Sequence, residues 1–176
     1  MAERALVRIE EATQEDVPLI LAFIRELAQY EKVLHKVALT EENLRATLFG
    51  PKPYVEAILG YEDDNPVAFA IYYFTYTSFA GLPCLYLEDI FVRPASRGFG
   101  VGRQLLAFLA RRASQRGCGR MEWSVINWNE RAMAFYKRLG AEPVNDWTVF
   151  RLGKNKLEEL AEFGGPTAKK EMLVVD

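Results

Sequence analysis

Cysteine and histidine are both scarce in this chain, and their scarcity removes several kinds of chemistry at once. Cys84 and Cys118 are the two cysteines among 176 residues. They make neither a disulfide framework nor a metal-ligand spacing, and read as small buried hydrophobes of a reducing compartment. His35 is the single histidine. It lies in a polar stretch without ligand-like neighbours, so it reads as a surface or satisfied side chain, and no metal is expected. An excess of one charge is also missing. The formal net charge of −2 implies no general surface for polyanions. Arg111, Arg112, Arg116 and Arg120 read as a solvated helix face rather than a nucleic-acid contact. No apolar run approaches a membrane span, and Met1-Ala2-Glu3-Arg4 lacks the apolar stretch of a signal peptide. The expectation is a cytoplasmic protein with neither a nucleic-acid nor a membrane partner.

What is present suits one globular domain: half the residues are apolar and 26% are charged. That domain is expected over residues 1–163, with a tail from Gly164 to Asp176. Leu6 to Ile9 reads as a first strand. Thr13-Gln14-Glu15-Asp16 resembles a helix start, and Leu19, Ile20, Phe23, Ile24 and Leu27 give that helix its buried face. Thr40 caps a second helix through Phe49, ended by Gly50-Pro51. Strands are expected over 54–61, 66–76 and 85–92, the last two separated by a long connection from Thr77 to Pro83. Met121, Trp123 and Val125 mark a further strand. Asn129 caps a helix with Ala132, Phe135, Tyr136 and Leu139 on its apolar face, and Thr148 to Leu152 reads as a final strand. A short helix starts at Asn155. The element order predicts a mixed α/β sheet flanked by helices.

The most informative stretch is Arg97-Gly98-Phe99-Gly100-Val101-Gly102, set between the strand ending at Val92 and a helix with Leu105, Leu106, Leu109 and Ala113 on one face. Alternate glycines let backbone N–H groups approach an anion, and the helix start adds unpaired donors and a positive dipole end. The spacing fits neither the ATP-type loop, since Arg103-Gln104 follows Gly102, nor the dinucleotide fingerprint. On the glycines alone, a ligand-free turn is an equally good reading.

Further motifs make the pattern specific. Tyr72-Tyr73-Phe74-Thr75-Tyr76, Leu85-Tyr86-Leu87-Glu88-Asp89, the glycine loop, Asn127-Trp128-Asn129 and Phe135-Tyr136-Lys137-Arg138 occur in order. Together they resemble the GNAT N-acetyltransferases, and within them the diamine group that includes spermidine/spermine and thialysine acetyltransferases. The resemblance runs from about Leu6 to Ala161. It implies the GNAT fold, a mostly antiparallel mixed sheet flanked by helices, with acetyl-CoA as cosubstrate, a small amine as acceptor and a homodimer. The pyrophosphate would lie on Arg97, Gly98, Phe99, Gly100, Val101, Gly102 and Arg103. The pantetheine would pair with Ile90, Phe91 and Val92 like an added strand, and Asn129 and Tyr136 would border the cofactor arm.

Glu88 is the candidate general base or, equally, an anchor for the ammonium. Strict alternation puts it with Tyr86 and Ile90, and Asp89 with Leu87 and Phe91, so the two acids share an environment only if a bulge intervenes. Tyr136 is the candidate general acid, since a phenol can protonate a departing thiolate without being ionised at neutral pH. Its place on an apolar helix face also permits a packing role, and the resemblance favours the catalytic one. Cys84 lacks a nearby base in sequence, so direct attack is expected rather than an acyl-enzyme. Tyr30 and Glu31 match the acceptor-side pair of the diamine group. Thr77 and Phe79 depart from the acidic residue and tryptophan of the polyamine enzymes, which favours a shorter, lysine-like amine. A non-catalytic acetyl-CoA sensor and an acetyltransferase for protein amines are the competing readings.

Overall fold

The computed structural model describes residues 6–163. These fall into two compact units, one ending at Asn129 and one beginning at Glu130. Among the described residues, the first unit carries one five-stranded sheet of order β1-β2-β3-β4-β5. Its strands are β1 (Arg8–Glu11), β2 (Glu56–Glu62), β3 (Asn65–Thr77), β4 (Leu82–Val92) and β5 (Arg120–Trp123). The first four run antiparallel to their neighbours, and β5 pairs parallel with β4. Its helices are α1 (Val17–Tyr30), α2 (Glu41–Phe49) and α3 (Val101–Gln115).

Local chemistry sets the helix starts. Asp16 Oδ2 accepts from the backbone N–H of Thr13 at 2.7 Å, closing a capping box on the single turn Gln14–Asp16 that leads into α1. Thr40 Oγ1 accepts from Asn43 N at the head of α2. The two helices bury one face of the sheet. Val17, Ile20, Phe23, Leu44 and Leu48 form one cluster with Leu59, Phe69, Ile71 and Phe91. α3 packs on β3 and β4 and sinks Leu105 and Leu109 completely. It comes close to Gly60, where an added Cβ would lie 3.1 Å from Val7 and 3.3 Å from Ala68. Only glycine leaves β2 free to sit there.

Two corrections concern the strands. The connection after β3 is short, because β3 runs on to Thr77 and β4 begins already at Leu82. Thr77 and Leu82 pair, and Gly81, at φ +67°, donates its N–H to Thr77 O and closes the turn. Thr148 to Leu152 forms no strand. Its β-branched and aromatic residues suit a strand, but a strand also needs a ladder partner. Val149 and Phe150 are 87% and 92% exposed.

The second unit holds α4 (Glu130–Arg138) and α5 (Lys154–Glu162). Gly140, at φ +88°, follows α4, and Ala141 N–H donates to Tyr136 O. The tail from Gly164 to Asp176 lies outside the described residues. Among the described residues no helix is long and apolar enough to cross a membrane.

Candidate functional site

The sheet opens where its ligand-like features gather. β5 pairs with β4 from Cys84 to Leu87 and no further. Beyond Leu87, β4 continues to Val92 with its β5-side edge outside any ladder. Ile90, Phe91 and Val92 therefore stand on an open strand edge, where an extended amide-bearing ligand can pair with the backbone. The apolar side chains hold that edge in place: Phe91 is buried in the core against α1.

Opposite this edge the β3–β4 ladder slips. Ile71 pairs with Asp89, but the next residue, Tyr72, pairs with Leu87, which leaves Glu88 as an extra residue. This is a β-bulge, and it answers the condition that alternation left open. Asp89 now follows the face of Ile71, the face packed by α1. Burial, and then the charge of Glu88, push the Tyr73 phenol up. Burial, with the charges of Glu88 and Glu31, pushes the Asp89 carboxyl up to about 6. Burial alone raises Glu31 above the usual carboxylate range. Asp89 is thus the group on which the other two carboxylates act. Sequence reasoning named Glu88 and Glu31 and gave Asp89 no role; alternation already set Asp89 on the face of Phe91, and the extra residue at Glu88 is what has no sequence mark.

Below the open edge runs the glycine loop. Pro94–Ser96 makes a single helical turn, then Gly98 and Gly100 take φ of +92° and +91°. Both values suit glycine and strain other residues. Gly100 is also the N-cap of α3, and its carbonyl receives the Gln104 N–H. The first N–H groups of α3 have no partner within the helix. At both glycines an added Cβ would meet nothing within 4 Å, so open space faces the loop. Positive-φ glycines, a helix start and an open strand edge fit a ligand with a diphosphate at one end and amides along its arm.

Tyr30 ends α1, with Glu31 as its C-cap. The Tyr30 ring lies 6.4 Å from Phe91 and 6.0 Å from Trp128, centroid to centroid. The Arg97 side chain reaches the end of β4 and the last residue of α1. Its Nε donates to Val92 O at 2.7 Å. Asn129, expected as a cap, immediately precedes α4 and donates its N–H to Ile126 O. Tyr136 is half-buried on α4, its ring 5.3 Å from Phe135. His35 is exposed. Among the described residues no three His, Cys, Asp or Glu side chains form a metal-holding group. Cys84 is buried, and burial pushes its thiol up, away from the thiolate form a nucleophile needs.

An α/β sheet whose open strand edge runs into a glycine loop and a helix start is the arrangement an acyl-transferase type of site needs. The family model for the acetyltransferase (GNAT) family matches residues 21–141, and the chain belongs to that family. It is an N-acetyltransferase, and the family uses acetyl-CoA as cosubstrate. The chain is 39% identical to a thialysine N-epsilon-acetyltransferase of Bos taurus, covering 89% of this chain and 98% of that one. It is 34% identical to the spermidine/spermine N(1)-acetyltransferase-like protein 1 of Homo sapiens, covering 88% of this chain and 24% of that one. Among solved structures, an integron cassette protein from the mobile metagenome of V. cholerae aligns with a TM-score of 0.73 and 30% identity. That alignment covers 89% of this chain and 98% of the other.

Proposed function

We propose that this enzyme transfers acetyl from acetyl-CoA by direct attack of a compact, lysine-like primary amine, with Glu88 and Tyr136 as its proton-transfer groups. The observation that carries this reading is the bulge, which sets Glu88 and Asp89 together beside the open end of β4. A cationic amine needs carboxylate partners on leaving water, because an unpaired ammonium is costly to desolvate. Glu31, Glu88 and Asp89 offer that, and one of them can serve a second cationic centre.

Acetyl-CoA, when bound, supplies an acetyl thioester. Gly98 to Gly102 and the start of α3 hold its diphosphate, with Arg103 alongside, and Ile90, Phe91 and Val92 pair with its arm. Tyr30, Glu31 and Asp89 orient the amine. Glu88 takes the proton that the nitrogen releases as its lone pair attacks the carbonyl carbon. Tyr136 holds a phenolic proton for the sulfur as the carbon–sulfur bond breaks, and Asn129 borders the same arm. The buried, un-ionised Cys84 supports direct attack.

Substrate length follows from charge placement. Thr77 carries no charge, is 7% exposed and pairs with Leu82, six residues before Glu88. At about 3.3 Å per residue that is roughly 20 Å from the acidic group. A long polycation therefore finds no carboxylate there, and the thialysine acetyltransferase named above is the more apt guide than its polyamine counterpart. A homodimer in a reducing cytoplasm completes the reading, supported by the free Cys84 and Cys118 and by the resemblance. Sedimentation showing only monomer at assay concentration overturns the dimer.

The test is an amine panel with acetyl-CoA and free-thiol detection, comparing thialysine, lysine, putrescine, spermidine and spermine. Thialysine or lysine should give the highest kcat/KM. Spermine in first place overturns the substrate assignment, and no thiol release with any amine overturns the activity.

A further inference from the structure

Arg97 opens the glycine loop, yet its side chain serves another element. The Nε–H bonds the carbonyl of Val92, the last residue of β4. The guanidinium carbon lies 4.7 Å from the Tyr30 ring centroid and 5.1 Å from that of Phe91. One planar cation thus joins the loop, the end of the open strand and the last residue of α1. Arg93, four residues earlier, makes a matching bond one helical turn back. Its Nε and Nη2 donate to the Glu26 carboxylate at 3.1 and 2.7 Å, and its guanidinium carbon lies 4.5 Å from the Phe23 ring centroid. Glu26 and Tyr30, at i and i+4, share a helix face. The loop therefore grips the C-terminal half of α1 twice.

The two grips differ in what they hold. Arg93 fastens the helix body. Arg97 fastens its final residue, where carbonyls lose their partners and helices fray. Past Tyr30 the chain turns sharply, with Glu31 as C-cap and Lys32 at φ +62°. The position of Glu31 hence depends on how firmly Tyr30 is clamped.

We infer that Arg97 is a positioning residue for the amine, holding Tyr30 and through it Glu31, while recognition of the diphosphate is left to the loop's backbone. This rests on the functional reading above. Lysine is a poor substitute, since it lacks both the flat guanidinium that lies on two rings and the Nε–H directed at Val92 O. The result is a loop residue whose loss is felt at the other substrate.

Arg97→Gln and Arg97→Lys separate the two roles, with thialysine as acceptor, acetyl-CoA affinity measured by calorimetry and folding followed by thermal melting. For Arg97→Gln the thialysine KM should rise about five- to thirtyfold, the span of one or two such ring contacts. The acetyl-CoA Kd should stay within about twofold. Arg97→Lys should fall between this variant and the wild type. In a Tyr30→Ala background, Arg97→Gln should add little, because its partner is already gone. A tenfold or greater loss of acetyl-CoA affinity with unchanged thialysine KM overturns the inference and makes Arg97 a phosphate ligand. Additive losses with Tyr30→Ala overturn it as well. Wild-type protein that binds no acetyl-CoA or leaves thialysine unmodified defeats the functional reading itself, a result distinct from either.

Discussion

Glu88 and Asp89, neighbours in the chain, stand across from the single residue Ile71, because the next ladder pair joins Tyr72 to Leu87. A regular strand would send them to opposite faces. The slip brings both acids to one site. Burial first, and then the charges of Glu88 and Glu31, push the Asp89 carboxyl up to about 6.

That shift has a signed consequence for stability. The folded state binds the Asp89 proton more tightly than the unfolded chain, whose carboxyl titrates near 3.8. The stabilisation is complete below that value and is lost as pH rises through about 6. Ionised Asp89 therefore costs the fold at neutral pH. Asp89→Asn should raise stability at pH 7.5 by on the order of 1–2 kcal/mol, and the gain should vanish near pH 3.5. Thermal melting across this range checks it; a loss of stability at pH 7.5 contradicts it.

The same group should shape substrate affinity. An ammonium binds ionised Asp89 and not the protonated form, so the amine KM should fall as pH rises from 5 to 7. In Asp89→Asn the KM should be higher and its dependence on pH over that interval weaker. A wild-type profile that is flat between pH 5 and 7 removes Asp89 from amine binding.

Glu88→Gln keeps shape and hydrogen-bonding capacity but cannot accept the amine proton. Turnover should drop roughly a hundred- to ten-thousandfold, as for loss of a general base, while acetyl-CoA affinity stays close to that of wild type. If only KM rises, Glu88 is an anchor rather than a base. Tyr136→Phe should lower turnover over a span of roughly ten- to ten-thousandfold with little change in cofactor affinity. Wild-type turnover in that variant returns Tyr136 to packing.

Gly100→Ala isolates backbone conformation from bulk. A Cβ has free space there, so the cost comes from φ of +91°, about 1–2 kcal/mol in stability. If the loop relaxes out of its shape, acetyl-CoA binding should weaken roughly ten- to a hundredfold, the worth of one charge-assisted bond. Unchanged affinity in the folded variant, read by calorimetry, would take the diphosphate off this loop.

Much of this was legible in the chain itself, and the parts that were not share a cause. Thr13 with Asp16, Thr40, and the stripe of Leu105, Leu106 and Leu109 act within a few residues of themselves, so spacing reveals them. The glycine loop is equally local: residues that must take positive φ announce themselves as glycine. The bulge at Glu88 is different, because it arises from a register with β3 that nothing in 85–92 encodes. The ring contacts of Arg97 were not legible either, because only the return of α1 to the same place supplies Tyr30. Thr148 to Leu152 failed in the opposite sense, since residues suited to a strand found no neighbour to pair with.

The unpaired edge of β4 bears on the protein's behaviour in storage. Past Leu87 the β5-side edge of β4 carries no ladder, the sort of template on which a strand from another molecule can grow. Glu88 and the kink at the bulge work against such growth, since a charged, twisted border accepts a flat foreign strand poorly. A cosubstrate arm lying along that border would occupy the template outright, and whatever binds only the native form stabilises it by mass action. Saturating acetyl-CoA should thus delay the onset of light scattering on heating by more than it raises the melting temperature, and equal shifts in both would mean that the border is inert.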